Sequence, residues 1–236
     1  MATSGTTTFD LDIDEIIQEA YERCGVTMRT GYGLKSARRS LNILFAEWGN
    51  RGLHLWKVDQ ATVPLVEGQA EYNATTDSTN FPTGINEVLE AFIRDNSTTT
   101  APVDTSLAKI DRSSYSALAT KLSKGTPSQY YVERTTSPSI YLYQTPSSSF
   151  SGSSYELKFY YLKRIQDVGT SYTNETDIVF RFIPSMISGL AYYLSMKIAP
   201  DRIQILKPLY EEELQRALNE DVTSTSLYIS PRNSFR

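Results

Sequence analysis

Cysteine and histidine are nearly missing from this sequence: each occurs once, as Cys24 and His54. A lone cysteine excludes an internal disulfide, so folding in a reducing cytoplasm is the natural expectation. With one residue of each type, a structural zinc site of the usual Cys/His kind cannot be built. A nucleophilic triad would need His54 as its base. Leu53-His54-Leu55 follows a helix stop, where a packed or surface histidine is the ordinary reading. Long apolar runs are absent too. No stretch approaches the ~18 consecutive apolar residues of a membrane helix. The start, Met1 to Phe9, is rich in Ser, Thr and Gly and lacks both a basic opening and an apolar run, so no secretory signal is expected there.

An excess of positive charge is also lacking. Lys and Arg number 23 against 27 Asp and Glu, a formal net charge of -4. That argues against a dedicated nucleic-acid binder, since neutralising phosphates is what supplies non-specific affinity. No P-loop or dinucleotide-binding glycine pattern occurs, and Gly31-Tyr32-Gly33 reads as a loop. The acids Glu211-Glu212-Glu213 and Glu220-Asp221 are consecutive on a helix, so they point in different directions and read as a solvated face. No catalytic residue, metal ligand or cofactor is therefore expected. Cys24 lies on an apolar stripe and reads as a buried, inert thiol.

What is present is a chain of 236 residues, 40% hydrophobic and 21% charged, long enough to bury one large core or two small ones. Asp12 and Glu15 make a D-x-x-E start close to a capping box. Ile13, Ile16, Ile17, Ala20, Tyr21 and Cys24 then follow helical spacing as far as the stop at Gly25. A second helix is predicted from Leu34 to Trp48, with Leu34, Ala37, Leu41, Leu44, Phe45 and Trp48 on one side. Lys35, Arg38 and Arg39 form its basic cluster, the candidate contact for DNA phosphates or a partner's carboxylates, although a solvated helix face is the default.

From Trp56 the pattern turns to strands. Val58 to Val66 leads through Glu67-Gly68 to Ala70 and Tyr72, which predicts a hairpin. Val88–Arg94, Tyr130–Arg134, Ser139–Gln144 and Tyr155–Arg164 read as further strands, with a short helix over Arg112–Leu122. Asp95–Ala101 and Thr145–Ser154 read as loops. The sixteen tyrosines suit sheet faces and protein contacts. Helical spacing returns at Pro184 and runs to Ala199, where Gly189 suggests close approach of another backbone. A final helix, capped by Asp201 and bent at Pro208, is predicted to turn Ile205, Leu209, Leu214 and Leu218 inward. The expected fold is α+β: a helical bundle built from both chain ends (10–56 with 177–222), an inserted β-rich domain (57–176) and an extended C-terminal tail (223–236).

Several segments together resemble one phage family. They are EIIQEAYERCGVTMRTGYGLKSARRSLNILFAEWGNRGLHLW (15–56), KGTPSQYYVER (124–134), YYLKRIQDVG (160–169), FIPSMISGLAYYLSMK (182–197) and LYEEELQRALNED (209–221). In collinear order they are similar to the head-to-tail adaptor of short-tailed bacteriophages, also called tail tubular protein A or tail accessory factor. The resemblance implies a structural virion protein without turnover or cofactor, assembled in the host cytoplasm and residing in the tail or neck. It implies a ring of identical copies, expected to be twelve, with the helical domain seated on the portal protein. The β-rich part would face the tail nozzle protein and, in some relatives, the tail fibres. Double-stranded DNA would make only transient, non-specific contact, and no membrane is involved. By position, the portal-binding residues would be Leu227, Tyr228, Ile229, Pro231 and Phe235. The alternative is a tyrosine-rich surface-binding module that recognises carbohydrate or a host receptor.

Overall fold

A computed structural model of the chain describes residue 5 and residues 11–27, 31–51, 55–98, 100–169 and 176–221. His54 and the segment 222–236, with Leu227, Tyr228, Ile229, Pro231 and Phe235, lie outside the described residues. The fold is α+β. The described helices are α1 (Ile13–Arg23), α2 (Gly31–Asn50), α3 (Arg112–Ala117), α4 (Ile183–Ile198) and α5 (Ile203–Glu220). The strands are β1 (Val58–Leu65), β2 (Glu71–Tyr72), β3 (Ile85–Asp95), β4 (Val103–Ser106), β5 (Ala108–Ile110), β6 (Lys124–Gly125), β7 (Gln129–Glu133), β8 (Ser139–Tyr143), β9 (Thr145–Pro146) and β10 (Gly152–Lys163). They divide into two compact units: Met1–Trp56 with Gln166–Arg236, and Lys57–Ile165. Val168 belongs to the helical unit because its N–H donates to Asn42 Oδ1 of α2 at 3.0 Å.

The helical unit is organised around α4. Nearly every side of this helix is apolar or small, and it packs against α1, α2 and α5. Its buried hydroxyls are satisfied locally, with Ser185 Oγ donating to Phe182 O at 2.8 Å and Ser195 Oγ to Tyr192 O at 2.7 Å, so small residues are buried here without leaving orphan donors. α2 runs antiparallel to α4: Lys197 meets Ser40 at one end while the Trp48 and Phe182 rings lie 5.7 Å apart at the other. α1 is antiparallel to α2, with Arg38 against Asp14 and Tyr21 OH donating to Gly33 O at 3.1 Å. α5 is antiparallel to α4, with Tyr210 stacked on Tyr192 and Asp221 paired with Arg181. The result is an up-down-up-down bundle whose second and third helices are joined through the β unit.

Local chemistry sets the ends of these helices. At the start of α1 the Asp12 N–H donates to Glu15 Oε2 at 3.2 Å, one arm of a capping box. At its end Gly25 adopts φ +73°. Gly25 N–H reaches Glu22 O at 2.8 Å and Val26 N–H reaches Tyr21 O at 3.1 Å, the paired bonds of a Schellman motif. α2 begins at Gly31 rather than Leu34, so Gly31-Tyr32-Gly33 is its first turn and not a loop. Asp201 does not cap α5. It sits in a 3-10 turn, Pro200–Arg202, and the residue at the cap position is Arg202, without a side-chain cap bond. Pro208 is accommodated inside α5.

The inward face of α5 also differs from expectation. Leu206, Tyr210, Leu214 and Ala217 are buried, whereas Ile205 is 71% exposed and Leu209 is on the surface. Four-residue steps from Leu206 stay on the α4 side, and Ile205 falls one position, about 100°, away from them. At Gly189 it is side chains, not another backbone, that approach. A Cβ built there would lie 2.8 Å from Tyr210 Cε2 and 2.9 Å from Leu44 Cδ2.

The β unit is a two-sheet sandwich, with sheet orders β1-β10-β3-β4 and β2-β8-β7-β5, beside a small β6-β9 pair. Alternating inward residues of both sheets, such as Val63, Ile93, Tyr130, Leu142 and Phe159, share one core. The expected β1–β2 hairpin does not form. The turn at Gly68 (φ +74°) hands the chain from one sheet to the other, where β1 pairs with β10 and β2 with β8. Tyr72 closes that corner by accepting the Val66 N–H at 3.1 Å on its hydroxyl. β4 lay hidden because all four of its residues are exposed. β9 and the start of β10 fall inside the expected 145–154 loop. α3 is shorter than expected, ending where Leu118 turns extended.

Candidate functional site

The basic cluster on α2 separates into two roles. Arg38 Nη2 binds Asp14 Oδ1 at 2.9 Å and its side chain is only 11% exposed, so it ties α2 to α1. Lys35 and Arg39 stay on the surface. Arg39 borders a groove of about 830 Å³ where α1 ends, α2 begins and α4 ends, lined also by Val26, Tyr32, Ser36, Lys197 and Ile198. Lys197 Nζ donates to Ser40 Oγ at 2.6 Å and Ser36 Oγ at 3.2 Å. Burial, and then the neighbouring Arg39 charge, lower its pKa. Lys197 was missed at the sequence level because spacing along one helix does not reveal which helix ends meet.

A second groove, of about 500 Å³, runs between α1 and the first turns of α4. Its rim carries Glu15, Glu19 and Glu22, and Leu11, Ile183 and Ile187 supply apolar surface. Glu19 holds Arg23 at 3.1 Å, and Gln18 donates to Glu22 at 3.1 Å.

The acidic run on α5 is not simply a solvated face. Arg51 reaches Glu211 with two hydrogen bonds of 2.6 and 2.7 Å, also binds Glu47, and places its guanidinium 5.3 Å from the Tyr210 ring centre. Tyr210 OH donates to Glu47 Oε2 at 2.6 Å and accepts from Trp48 Nε1 at 2.9 Å. Burial and then Glu47 raise the Tyr210 pKa, while Arg51 holds the Glu211 carboxyl below its ordinary value. This network fastens α2 to α5. Cys24 is buried with its thiol donating to Ala191 O at 3.3 Å. Burial raises its pKa, which keeps it a thiol and a poor nucleophile.

Arg202 fastens α1 from the other side, its Nη1 donating to Arg23 O at 2.9 Å, a cation at a helix C-terminus. The close packing of that guanidinium is possible only because residue 25 lacks a side chain. A Cβ there would lie 2.5 Å from Arg202 Nη2. Gly25→Ala is therefore expected to lose about 1–2 kcal/mol, from the left-handed backbone alone. A urea titration of the helical unit reads this directly.

Among the described residues these contacts join helices to one another. The SU10 adaptor protein family matches residues 5–234. The chain belongs to that family. It is thus a phage adaptor, a structural component of the virion. No curated protein matches the chain.

An adaptor works through the surfaces it offers to other virion proteins. Among the described residues no group of three or more His, Cys, Asp or Glu could hold a metal ion, and no helix is long and apolar enough to cross a membrane. A cluster of aromatic rings lies on the outside of the second sheet. There Tyr131 of β7 and Tyr141 of β8 are cross-strand partners with near-parallel rings 5.9 Å apart. Tyr115 of α3 stacks on Tyr131 at 5.3 Å. Burial, followed by a hydrogen bond with Glu71, pushes the Tyr141 hydroxyl up to about 12. These rings cover one another and latch α3 to the sheet. The two grooves of the helical unit are not so occupied by described residues.

Proposed function

We propose that this SU10-family adaptor is the head-to-tail adaptor of a short-tailed phage, of the tail tubular protein A kind. The match over residues 5–234 carries the proposal. Copies of the chain, twelve in number, form a ring between the portal protein and the tail nozzle protein, and DNA leaves through its bore. The helical unit seats on the portal and the β unit faces the nozzle and any fibres. Two compact units offer two adhesive surfaces on one chain, which an adaptor requires. Residues 223–236 order on the portal, with Leu227, Tyr228, Ile229, Pro231 and Phe235 as apolar anchors in otherwise polar sequence. The net charge of -4 favours a channel in which DNA slides without sticking, with Lys35 limited to transient contacts.

The test is reconstitution of the purified chain with its portal, read by electron microscopy. A ring of fixed stoichiometry beneath the portal is the expected image. Deleting residues 223–236 is expected to leave the thermal melt unchanged and abolish attachment. Normal attachment of the truncated chain removes the tail from the portal contact. No association by the full chain, together with saturable glycan binding, supports the surface-binding module instead.

A further inference from the structure

The two grooves of the helical unit are opposite in charge and similar in apolar content. Glu15, Glu19 and Glu22 stand at i, i+4 and i+7 on α1, which places them on one face. Among the described residues the single cation lining that groove, Arg23, is shared between Glu19 at 3.1 Å and Glu213 at 3.8 Å. The other groove carries Arg39 and Lys197, and among the described residues no carboxylate lines it. Arg202 adds a third cation beside Gly25, one of its lining residues. Around the basic groove, Val26 and Ile198 are each 39% exposed and Tyr32 is 78% exposed. Apolar side chains grouped with charge of one sign mark a contact surface more than a solvated face. The grooves use opposite ends of α4, Ile183 to Ile187 in one and Leu194 to Ile198 in the other, with Pro184 and Ile198 about 20 Å apart along the helix.

We propose that these grooves are the two halves of a head-to-tail contact between copies of this chain. The acidic groove of one copy takes the basic, tyrosine-bearing end of the next. Charge complementarity within a single unit names the second copy as the occupant. A contact between two different faces of identical subunits propagates, and it closes into a ring when its rotation divides the circle. This rests on the ring proposed above and assigns the faces that build it.

The experiment reverses one charge on each face in the full chain and measures ring assembly on the portal. Glu22→Lys lies in the last turn of α1, where a cation suits the helix end, and Arg39→Glu changes an exposed side chain. Both are expected to keep the wild-type melt. Each alone sets like charges against each other and is expected to weaken assembly by at least about tenfold. The chain carrying both reversals restores opposite charges across every contact, so assembly returns to near the wild-type level. Wild-type assembly of both single variants overturns the inference, as does a combined variant that melts normally and fails to recover. Loss of DNA binding by Arg39→Glu with the ring intact also overturns it, because the basic groove is then a phosphate contact. A wild-type chain that forms no ring overturns the ring itself, a different outcome from rings that ignore these charges.

Discussion

Replacing Trp48 by alanine is expected to destabilise the helical unit by about 3–5 kcal/mol, the range for removing a large aromatic side chain from a core. Trp48 is 1% exposed, and its ring lies 5.7 Å from Phe182 and 6.2 Å from Phe45. Truncation leaves a cavity in the seam between α2 and α4 and strips Tyr210 OH of the indole donor at 2.9 Å. Both losses act in the same direction. Urea unfolding followed by fluorescence reports this unit selectively, since both tryptophans, Trp48 and Trp56, belong to it. In the variant the signal comes from Trp56, whose ring is 6.0 Å from Phe182. An unchanged unfolding midpoint would contradict the placement of Trp48 in the core.

Gly189→Val sets two effects against each other. Helix propensity favours valine over glycine by a few tenths of a kcal/mol. Packing opposes it more strongly, because even a Cβ would stand 2.8 Å from Tyr210 and 2.9 Å from Leu44, and valine adds two methyl groups beyond that. Overpacking at such a site costs about 3 kcal/mol, so destabilisation wins. A second substitution separates clash from other causes. Leu44→Ala alone costs about 2–5 kcal/mol, but it removes both Leu44 methyl groups that valine strikes. The double variant is expected to be clearly more stable than the sum of the two single losses. Strict additivity would place the damage elsewhere than at the α2–α4 contact.

How legible the fold was depended on whether local pattern or tertiary context governed each residue. The apolar stripe of α1 needs one sheltering surface, and period alone located Ile13, Ile16, Ile17, Ala20 and Tyr21. α5 was harder because Ile205, Leu206, Leu209 and Tyr210 offer two overlapping stripes. Only the neighbouring α4 selects Leu206 and Tyr210. The β1–β2 connection looked like a hairpin because a turn signal does not say whether the following strand rejoins its predecessor or crosses to another sheet. Among candidate contacts, Arg38 and Arg39 are adjacent in sequence, yet one is held by Asp14 and the other borders a groove. Helix geometry separates neighbours by about 100°. The Arg51–Glu47–Tyr210–Glu211 network joins positions some 160 apart in the chain, beyond any local signal.

The pairing of β1 with β10 has a consequence for how such proteins diversify. Val58 lies opposite Leu162, so the chain enters and leaves the β unit on adjacent strands, with paired backbones about 5 Å apart. Everything between those two points forms a cassette whose ends are side by side. Replacing the strands between those two points keeps the positions at which the chain enters and leaves the unit. Such a cassette can vary in sequence and length while Val58 and Leu162 keep its two ends paired.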